Sequence, residues 1–189
     1  MATDTKTTLL DSAERAARAR GFDGFSYADL AAEVGISKAS IHHHFASKAT
    51  LAVALMKRYY LDLETACAEI DQEHVTGATR LTALVARYHG ALNGGQSLCL
   101  CVSFSTSTES LSTETISEMN RFRSMMIDWL TKTFSRGKDD GTIQSVIDPA
   151  SEAAATLPLL EGAQLAARVA QDPRRFEDAM ELSLVRLRK

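Results

Sequence analysis

The sequence has few of the residues that interrupt helices or cross-link chains. It contains three prolines among 189 residues, and three cysteines, Cys67, Cys99 and Cys101. An odd, sparse cysteine count argues against a disulfide-stapled secreted domain. No apolar run approaches the length of a membrane span, and the N-terminal segment has acidic residues without the apolar core of a signal peptide. We therefore expect a helical, cytoplasmic protein of one or two small domains.

Charge is spread unevenly along the chain, whose formal net charge is −3. Residues 1–60 carry eight Lys and Arg against six Asp and Glu, whereas residues 61–189 carry thirteen against eighteen. The mildly basic first third permits contact with a polyanion. The acidic remainder argues against a protein that coats DNA without sequence preference, because such a protein would need a far more basic chain.

Apolar residues recur at helical spacing through most of the chain, which predicts an all-α fold of about nine helices and no strand. Gly21 and Gly35 suit helix C-termini, and Ser26, Ser37 and Ser47 suit N-caps. The predicted helices cover residues 5–20, 27–34, 38–44, 48–74, 78–92, 97–107, 113–135, 149–170 and 173–187.

The second and third helices have the features of a helix-turn-helix motif. Gly35 can adopt a left-handed turn conformation, and Ala31 is small where two helices must cross closely. Lys38 lies at the start of the third helix, where backbone N–H groups already favour a phosphate. Ala39 and Ser40 are short enough for that helix to enter a major groove. These features predict contact with double-stranded DNA.

Three consecutive histidines, residues 42–44, lie in the third helix. Successive helical residues point about 100° apart, so the three imidazoles cannot all ligate one metal ion. Zinc sites on helices pair histidines at i and i+4 instead. An affinity tag would lie at a terminus. The histidines are therefore interpreted through the motif around them, and we expect no metal site.

The stretch SYADLAAEVGISKASIHHHFASK, residues 26–48, resembles the N-terminal DNA-binding domain of the TetR family of transcriptional regulators. The similarity extends from about residue 6 to 60 and includes a helix ending in glycine, the dipeptide GF, an aromatic residue at 45 and Lys48. The resemblance implies a helix-turn-helix domain over 1–47 and a helical ligand-binding and dimerisation domain over 48–189, connected by helix 48–74. His42 departs from the tyrosine common in the family, which leaves base preference open.

The resemblance also implies which side chains touch DNA. Lys38 and Lys48 would anchor phosphates, which position a protein without specifying a sequence. His43 would point elsewhere, and Phe45 would anchor the core. The implied DNA contacts are Tyr27, Lys38, Ala39, Ser40, His42, His44 and Lys48.

One helix-turn-helix reads few base pairs, so a homodimer on an inverted-repeat operator is expected. In TetR-like proteins the last two helices usually pair with those of the second subunit. Two apolar stripes are candidates for this surface, although ordinary core packing would explain them as well. The stripes are Leu157, Leu160, Gln164 and Ala167, and Phe176, Met180, Leu184 and Leu187.

The middle of the chain would hold a small-molecule effector. The candidate pocket residues are Arg87, Tyr88, His89, Cys99, Phe104, Phe122, Met125 and Trp129. Aromatic and methionine stripes equally suit a plain core, and nothing in the sequence names the ligand. Some TetR-like regulators of electrophile detoxification place Cys-Leu where Cys99 and Leu100 stand. Cys99 or Cys101 is thus either a reactive sensor or a small buried hydrophobic residue.

The preferred interpretation is a sequence-specific transcriptional regulator and not an enzyme. Repression is the family default, with release from a palindromic operator by a small molecule, and an electrophilic effector stays open. One alternative is an enzyme that uses Cys99 or Cys101 with His89, but no third orienting group is visible and residues 26–48 would go unexplained. Another is a non-specific DNA-binding or protein-interaction module. No cofactor motif is present.

Overall fold

The computed structural model describes residues 5–187, so the outermost residues of both predicted domains, 1–4 and 188–189, lie outside the described part. Within it the only pairing of extended backbone is an isolated bridge between Ile143 and Leu187, and the all-α prediction is confirmed. The helices are α1 Thr5–Arg20, α2 Tyr27–Val34, α3 Lys38–His44, α4 Lys48–Glu73, α5 Gly77–Gly90, α6 Leu100–Ser105, α7 Thr113–Asp139, α8 Pro149–Ala170 and α9 Arg174–Leu184, with a 3-10 turn at Thr108–Ser110. None of these described helices is both long and apolar enough to cross a bilayer.

The backbone divides into two compact units. The first comprises residues 5–61 and 100–121, and the second comprises residues 62–99 and 122–187. Helix α4 is continuous, and the part that precedes Asp62 packs within the first unit. The first unit is therefore larger than the segment 1–47, because it also includes the start of α4, all of α6 and the start of α7.

The first unit has an apolar interior fastened by ion pairs at its edge. Leu9 of α1, Leu30 of α2 and Leu55 of α4 are fully buried. The Arg58 guanidinium on α4 donates to the carboxylates of Asp11 and Glu14 on α1, both at 2.7 Å. These bonds join helices that are distant in sequence.

Helix α6 packs on α1 in the same unit. The Phe104 ring meets the Phe22 ring edge to face, with centroids 5.4 Å apart. The Ser103 hydroxyl lies 3.5 Å from the carbonyl oxygen of Arg18, within donor reach. Because Phe104 is fully buried, α6 contributes to the core around the end of α1.

In the second unit, helix α7 continues past Gly137 to Asp139, beyond the predicted end at 135. The reason is a close approach: a side chain on Gly77 would collide with the backbone of Gly137, and one on Gly137 would collide with Ile143. The Asp140 carboxylate then accepts the Gly77 N–H at 2.9 Å, which caps α5. Gly137 thus serves helix packing and does not end the helix.

The two stripes considered for dimerisation face the interior of the second unit. On α8, Leu157, Leu160 and Gln164 are buried, and Phe176 and Met180 on α9 are buried as well. The first stripe is core, and so are Phe176 and Met180 of the second, whereas Leu184 and Leu187 are half-buried. A dimer surface on α8 must therefore use another face. The cause is that α8 and α9 pack on each other and on α5 within one chain.

Candidate nucleic-acid interface

Helix α2 begins with a complete capping box. The Ser26 hydroxyl accepts the N–H of Ala28 at 3.2 Å and of Asp29 at 3.4 Å, and the Asp29 carboxylate accepts the Ser26 N–H at 2.7 Å. Hydrogen bonds from the Ser26 side chain, and then from its backbone, hold the pKa of Asp29 below its usual value. The start of α2 is therefore determined by residues within one turn of it.

A short turn connects α2 to α3. Gly35 has φ 74° and ψ 33°, the left-handed conformation that glycine adopts without strain, and its N–H donates to Ala31 at 2.9 Å. Helix α3 starts at once, because the Ser37 hydroxyl accepts the N–H of Ser40 at 3.1 Å. The predicted helix-turn-helix is present with the predicted caps.

Helix α3 is held by two buried residues and exposes the opposite side. Ile41 is 0% exposed and Phe45 is 3% exposed. Ala39 and His43 are exposed on the side opposite Ile41, where the helical period places them. His43, which the family resemblance left out, is thus a candidate for DNA contact. Nothing in the sequence distinguishes His43 from His42 and His44. The burial of Ile41 does, because His43 lies on the opposite side of the helix.

The other predicted contacts on α3 are less uniform. Lys38 and His42 are exposed, whereas Ser40 and His44 are half-buried. The His42 ring meets the Tyr27 ring edge to face at 5.0 Å, and its Nδ1 lies 3.2 Å from the Ala46 carbonyl oxygen, within donor reach. The outward face of α3 therefore combines one lysine, a small residue and histidines.

Tyr27 supports α3 from the start of α2. Its hydroxyl donates to the Phe45 carbonyl oxygen at 3.0 Å, and burial raises the pKa of Tyr27 to about 12. The hydroxyl is therefore a neutral donor inside the domain at ordinary pH. Through this bond and its contact with His42, Tyr27 supports the C-terminal end of α3.

The two lysines predicted to anchor phosphates have different surroundings. The Lys48 ammonium lies 4.5 Å from the Phe22 ring centroid and 4.3 Å from that of Phe25, and it donates to the Phe25 carbonyl oxygen. Burial lowers the pKa of Lys48, and the charges of Asp23 and Asp29 oppose this shift. Lys38 is exposed at the N-terminus of α3, so a phosphate can approach it without displacing an internal contact.

No group of three or more His, Cys, Asp or Glu within residues 5–187 is arranged to hold a metal ion. The His43 and His44 ring centroids are 5.5 Å apart with the rings at 71°, and the Nδ1 of His42 lies beside a backbone carbonyl. The three rings thus spread around the helix, as its period requires.

Comparison with known proteins agrees with this geometry. Residues 9–55 match the family model described as bacterial regulatory proteins of the tetR family. The HTH-type transcriptional repressor NemR of Escherichia coli K12 is 28% identical over 184 residues, covering 94% of this chain and 90% of NemR. The helix-turn-helix segment of the chain is that of the TetR family.

Solved structures extend the similarity over the whole chain. A TetR-family regulator from Agrobacterium tumefaciens has a TM-score of 0.92 at 27% identity, with 98% of each chain covered. The structure of AibR in complex with isovaleryl coenzyme A and operator DNA has a TM-score of 0.75 at 21% identity, covering 98% of this chain and all of AibR. These matches support a DNA-binding transcriptional regulator, and regulators of the TetR family are not enzymes.

The predicted effector residues of this regulator do not all lie in one unit. Phe104 belongs to the first unit and contacts Phe22. The other seven belong to the second unit, where Tyr88, Cys99, Phe122 and Trp129 are buried, Arg87 is exposed, and His89 and Met125 are half-buried. Phe104 is thus explained by the core around α1.

Several of these side chains make specific polar contacts in the second unit. The Trp129 indole N–H donates to the Asp71 carboxylate at 3.2 Å. The His89 Nε2 lies 3.2 Å from the Glu177 carboxylate. Neither contact was predicted, because the partners are distant in sequence.

All three cysteines of the regulator are reduced and buried. Cys99 is 1% exposed and Cys101 is 0% exposed. Burial, followed by the charge of Asp71, raises the pKa of Cys67 to about 12, so this thiol stays protonated at ordinary pH. Any chemistry at Cys99 or Cys101 requires an opening of the surrounding residues.

A polar cluster inside the second unit was missed by sequence reasoning. Glu161 is 8% exposed and accepts from Arg123 with both carboxylate oxygens, at 2.7 and 2.8 Å. One turn further along α8, Gln164 bonds to Cys99 and Tyr88. Their period on α8 fits an inner face, but a sequence does not reveal the partners that make polar groups stable there.

Proposed function

We propose that the protein is a ligand-responsive repressor that binds an inverted-repeat operator as a homodimer. DNA reading is assigned to residues 1–47, and effector binding and dimerisation to residues 48–189, with α4 connecting them. The observation that carries the proposal is the exposed face of α3: a capped helix anchored by Ile41, with Lys38 at its N-terminus and small or histidine side chains outward. Such a face fits a major groove lined by phosphates.

The proposed base contacts are the exposed side chains of α3, with the flanking residues in supporting positions. Ala39 and His42 are exposed, and His43 is added because it is exposed as well. Ser40 and His44 are half-buried at the edges of this face. A neutral imidazole donates one hydrogen bond and accepts another, and a protonated one donates two and attracts phosphate. Lys38 and Lys48 are the phosphate anchors, and Tyr27 orients α3 from behind.

The proposed dimer surface is the outward face of α8. Its exposed side chains include no charged group: they are Ala154, Ala155, Pro158, Leu159, Gly162, Leu165, Ala166 and Val169. Exposed apolar patches of this kind mark protein interfaces. Leu182 on α9 and Val185 directly after it, exposed at 81% and 66%, add a second apolar part. An operator whose half-sites lie one helical turn apart requires two α3 helices about 34–36 Å apart.

The effector would act by shifting populations. A ligand that binds better to the dimer whose α3 helices do not match the operator spacing favours that state and releases DNA. NemR is named as a repressor, and AibR was solved with both isovaleryl coenzyme A and operator DNA. These relatives support repression and effector binding for this chain.

An electrophilic effector is proposed through Cys99. A reagent would reach this buried thiol during a local opening and, once attached, would keep the site from closing. The test is operator binding after treatment with N-ethylmaleimide, using wild type, Cys99→Ser and Cys101→Ser. We expect release from wild type and Cys101→Ser only. Operator binding that survives stoichiometric alkylation of Cys99, verified by mass spectrometry, contradicts this part of the proposal.

The repressor proposal is tested by a binding selection on fragments of the source genome with purified protein. We expect enrichment of an inverted repeat, bound by a dimer far more tightly than random DNA. Equal affinity for all fragments would instead support the non-specific module. As a control, Ala39→Glu places a negative charge on the outward face of α3 and should abolish selection while the fold is kept.

A further inference from the structure

Gln164 connects three segments of the second unit. It lies on the inner face of α8 and is 1% exposed. Its Oε1 accepts the N–H of Cys99 at 2.8 Å, and its Nε2 donates to the carbonyl oxygen of Tyr88 at 3.2 Å. Because one partner is a donor and the other an acceptor, both ends of the amide are satisfied in one orientation only.

The position would otherwise suit an apolar residue. Leu157, Leu160 and Ala167 share the inner face of α8 and are fully buried. A buried amide destabilises the fold unless it is hydrogen-bonded. Gln164 therefore contributes oriented hydrogen bonds more than it contributes apolar burial. The bond from the Cys99 N–H to the Gln164 Oε1 keeps the Cys99 backbone at a fixed position.

The residue after Cys99 begins α6, and α6 belongs to the first unit. Phe104 of α6 packs against Phe22, and the Ser103 hydroxyl reaches the carbonyl of Arg18. The covalent chain therefore passes directly from a residue tied to α8 into a helix that is packed on α1. Ser103, the first of these two α6 residues, is four positions after Cys99 along the chain.

We propose that Gln164 is a positioning residue for DNA binding. Its bond to the Cys99 backbone holds the start of α6, and α6 packs on α1 of the DNA-binding segment. This inference rests on the proposed function and names its regulatory link. With the bonds intact, α6 has little freedom. Without them, a smaller fraction of dimers presents both α3 helices at the operator spacing, and the apparent Kd rises by the inverse of that fraction.

The first experiment measures operator affinity of full-length variants. Gln164→Met keeps the length of the side chain and removes both hydrogen bonds. Gln164→Glu keeps an acceptor for the Cys99 N–H and, when protonated, a donor to Tyr88. We expect Gln164→Met to lose about fivefold or more in affinity, the usual scale of coupling between sites, and Gln164→Glu to recover most of it.

The matched control is Leu160→Ala, on the same face of α8 about one turn earlier. It lowers stability through lost packing but touches neither hydrogen bond. At a temperature where every variant is folded and dimeric, Leu160→Ala should bind the operator as wild type does. Equal affinities of Gln164→Met and wild type, or equal losses in Gln164→Met and Leu160→Ala, would overturn the proposal.

A second measurement does not depend on DNA. Hydrogen exchange in Gln164→Met should accelerate at the amides of residues 99–104 and extend to residues 18–22 at the end of α1. In Leu160→Ala it should accelerate on α8. Unchanged exchange in α6 overturns the positioning role. If neither wild type nor any variant selects an operator, the proposed function is wrong. The hydrogen-exchange result then still tests whether Gln164 positions α6.

Discussion

The outward faces of α3 and α8 are both exposed, yet they differ in chemistry. On α3 the exposed residues are Lys38, Ala39, His42 and His43. On α8 the exposed face is apolar along several turns and centred on Gly162, where an added side chain would meet open space. The first face suits a polyanion and the second suits another protein chain. One chain therefore offers two surfaces that select partners of different kinds.

The helices behind these faces are also stabilised differently. Helix α3 is positioned by bonds among near neighbours, such as Ser37 to Ser40. Helix α8 is positioned by partners far away in sequence, such as Arg123 with Glu161 and Cys99 with Gln164. The position of α3 should therefore tolerate substitutions in distant parts of the chain, whereas the position of α8 should not.

The largest expected effect comes from charging the apolar face of α8. Leu165→Glu should give a monomer, because a buried unpaired carboxylate opposes association. Specific operator binding should then fall about a thousandfold or more, toward the non-specific level. Sedimentation velocity and fluorescence anisotropy measure the two effects. The control is Ala150→Glu, an exposed position on α8 outside that face. A dimer that persists in Leu165→Glu would remove α8 from the interface.

The next effect concerns which unit Phe104 serves. Phe104→Ala should lower the free energy of unfolding by about 3–5 kcal/mol, the range for a buried phenylalanine. Chemical denaturation measures this loss, with Met125→Ala as a half-buried comparison that should lose less. If Phe104 served only to bind an effector, the mutant would keep its stability and lose its ligand response.

A smaller effect separates the two lysines. Lys38→Ala and Lys48→Ala should each weaken binding to all DNA sequences and lower the salt slope by about one. Lys48→Ala should also lose about 1 kcal/mol of stability, because its ammonium lies over two aromatic rings. Salt titrations and thermal unfolding measure these changes. An unchanged affinity of Lys48→Ala across the titration would reduce Lys48 to a packing role.

The smallest effect tests the capping box of α2. Ser26→Ala should cost about 1 kcal/mol of stability. Because the folded pKa of Asp29 is lowered, its contribution is present above the unfolded pKa of about 3.9 and is lost as pH falls through the folded value. Asp29→Asn should thus be less stable than wild type at pH 7, and the difference should shrink as the pH falls below about 3.9. A difference independent of pH would mean that the carboxylate charge is not involved.

The site was predictable where short-range chemistry decides it. Ser26, Gly35 and Ser37 show their caps and turn in the sequence, and the structure confirms all three. The exposure of His43 was not predicted, because residue type cannot distinguish three consecutive histidines from one another. For the stripe that contains Gln164, the sequence left dimer surface and core both open, and it did not reveal that Gln164 bonds to Cys99 and Tyr88.

The sequence alone determined the order of the helices and the reading motif, because caps, glycine turns and helical periods depend on residues within a few positions of one another. Tertiary structure decided which face of α8 is core and which is exposed, that Phe104 and α6 pack with α1, and that Gln164 meets Cys99. Those outcomes depend on which distant side chains meet, and both faces of α8 carry enough apolar residues to have been buried.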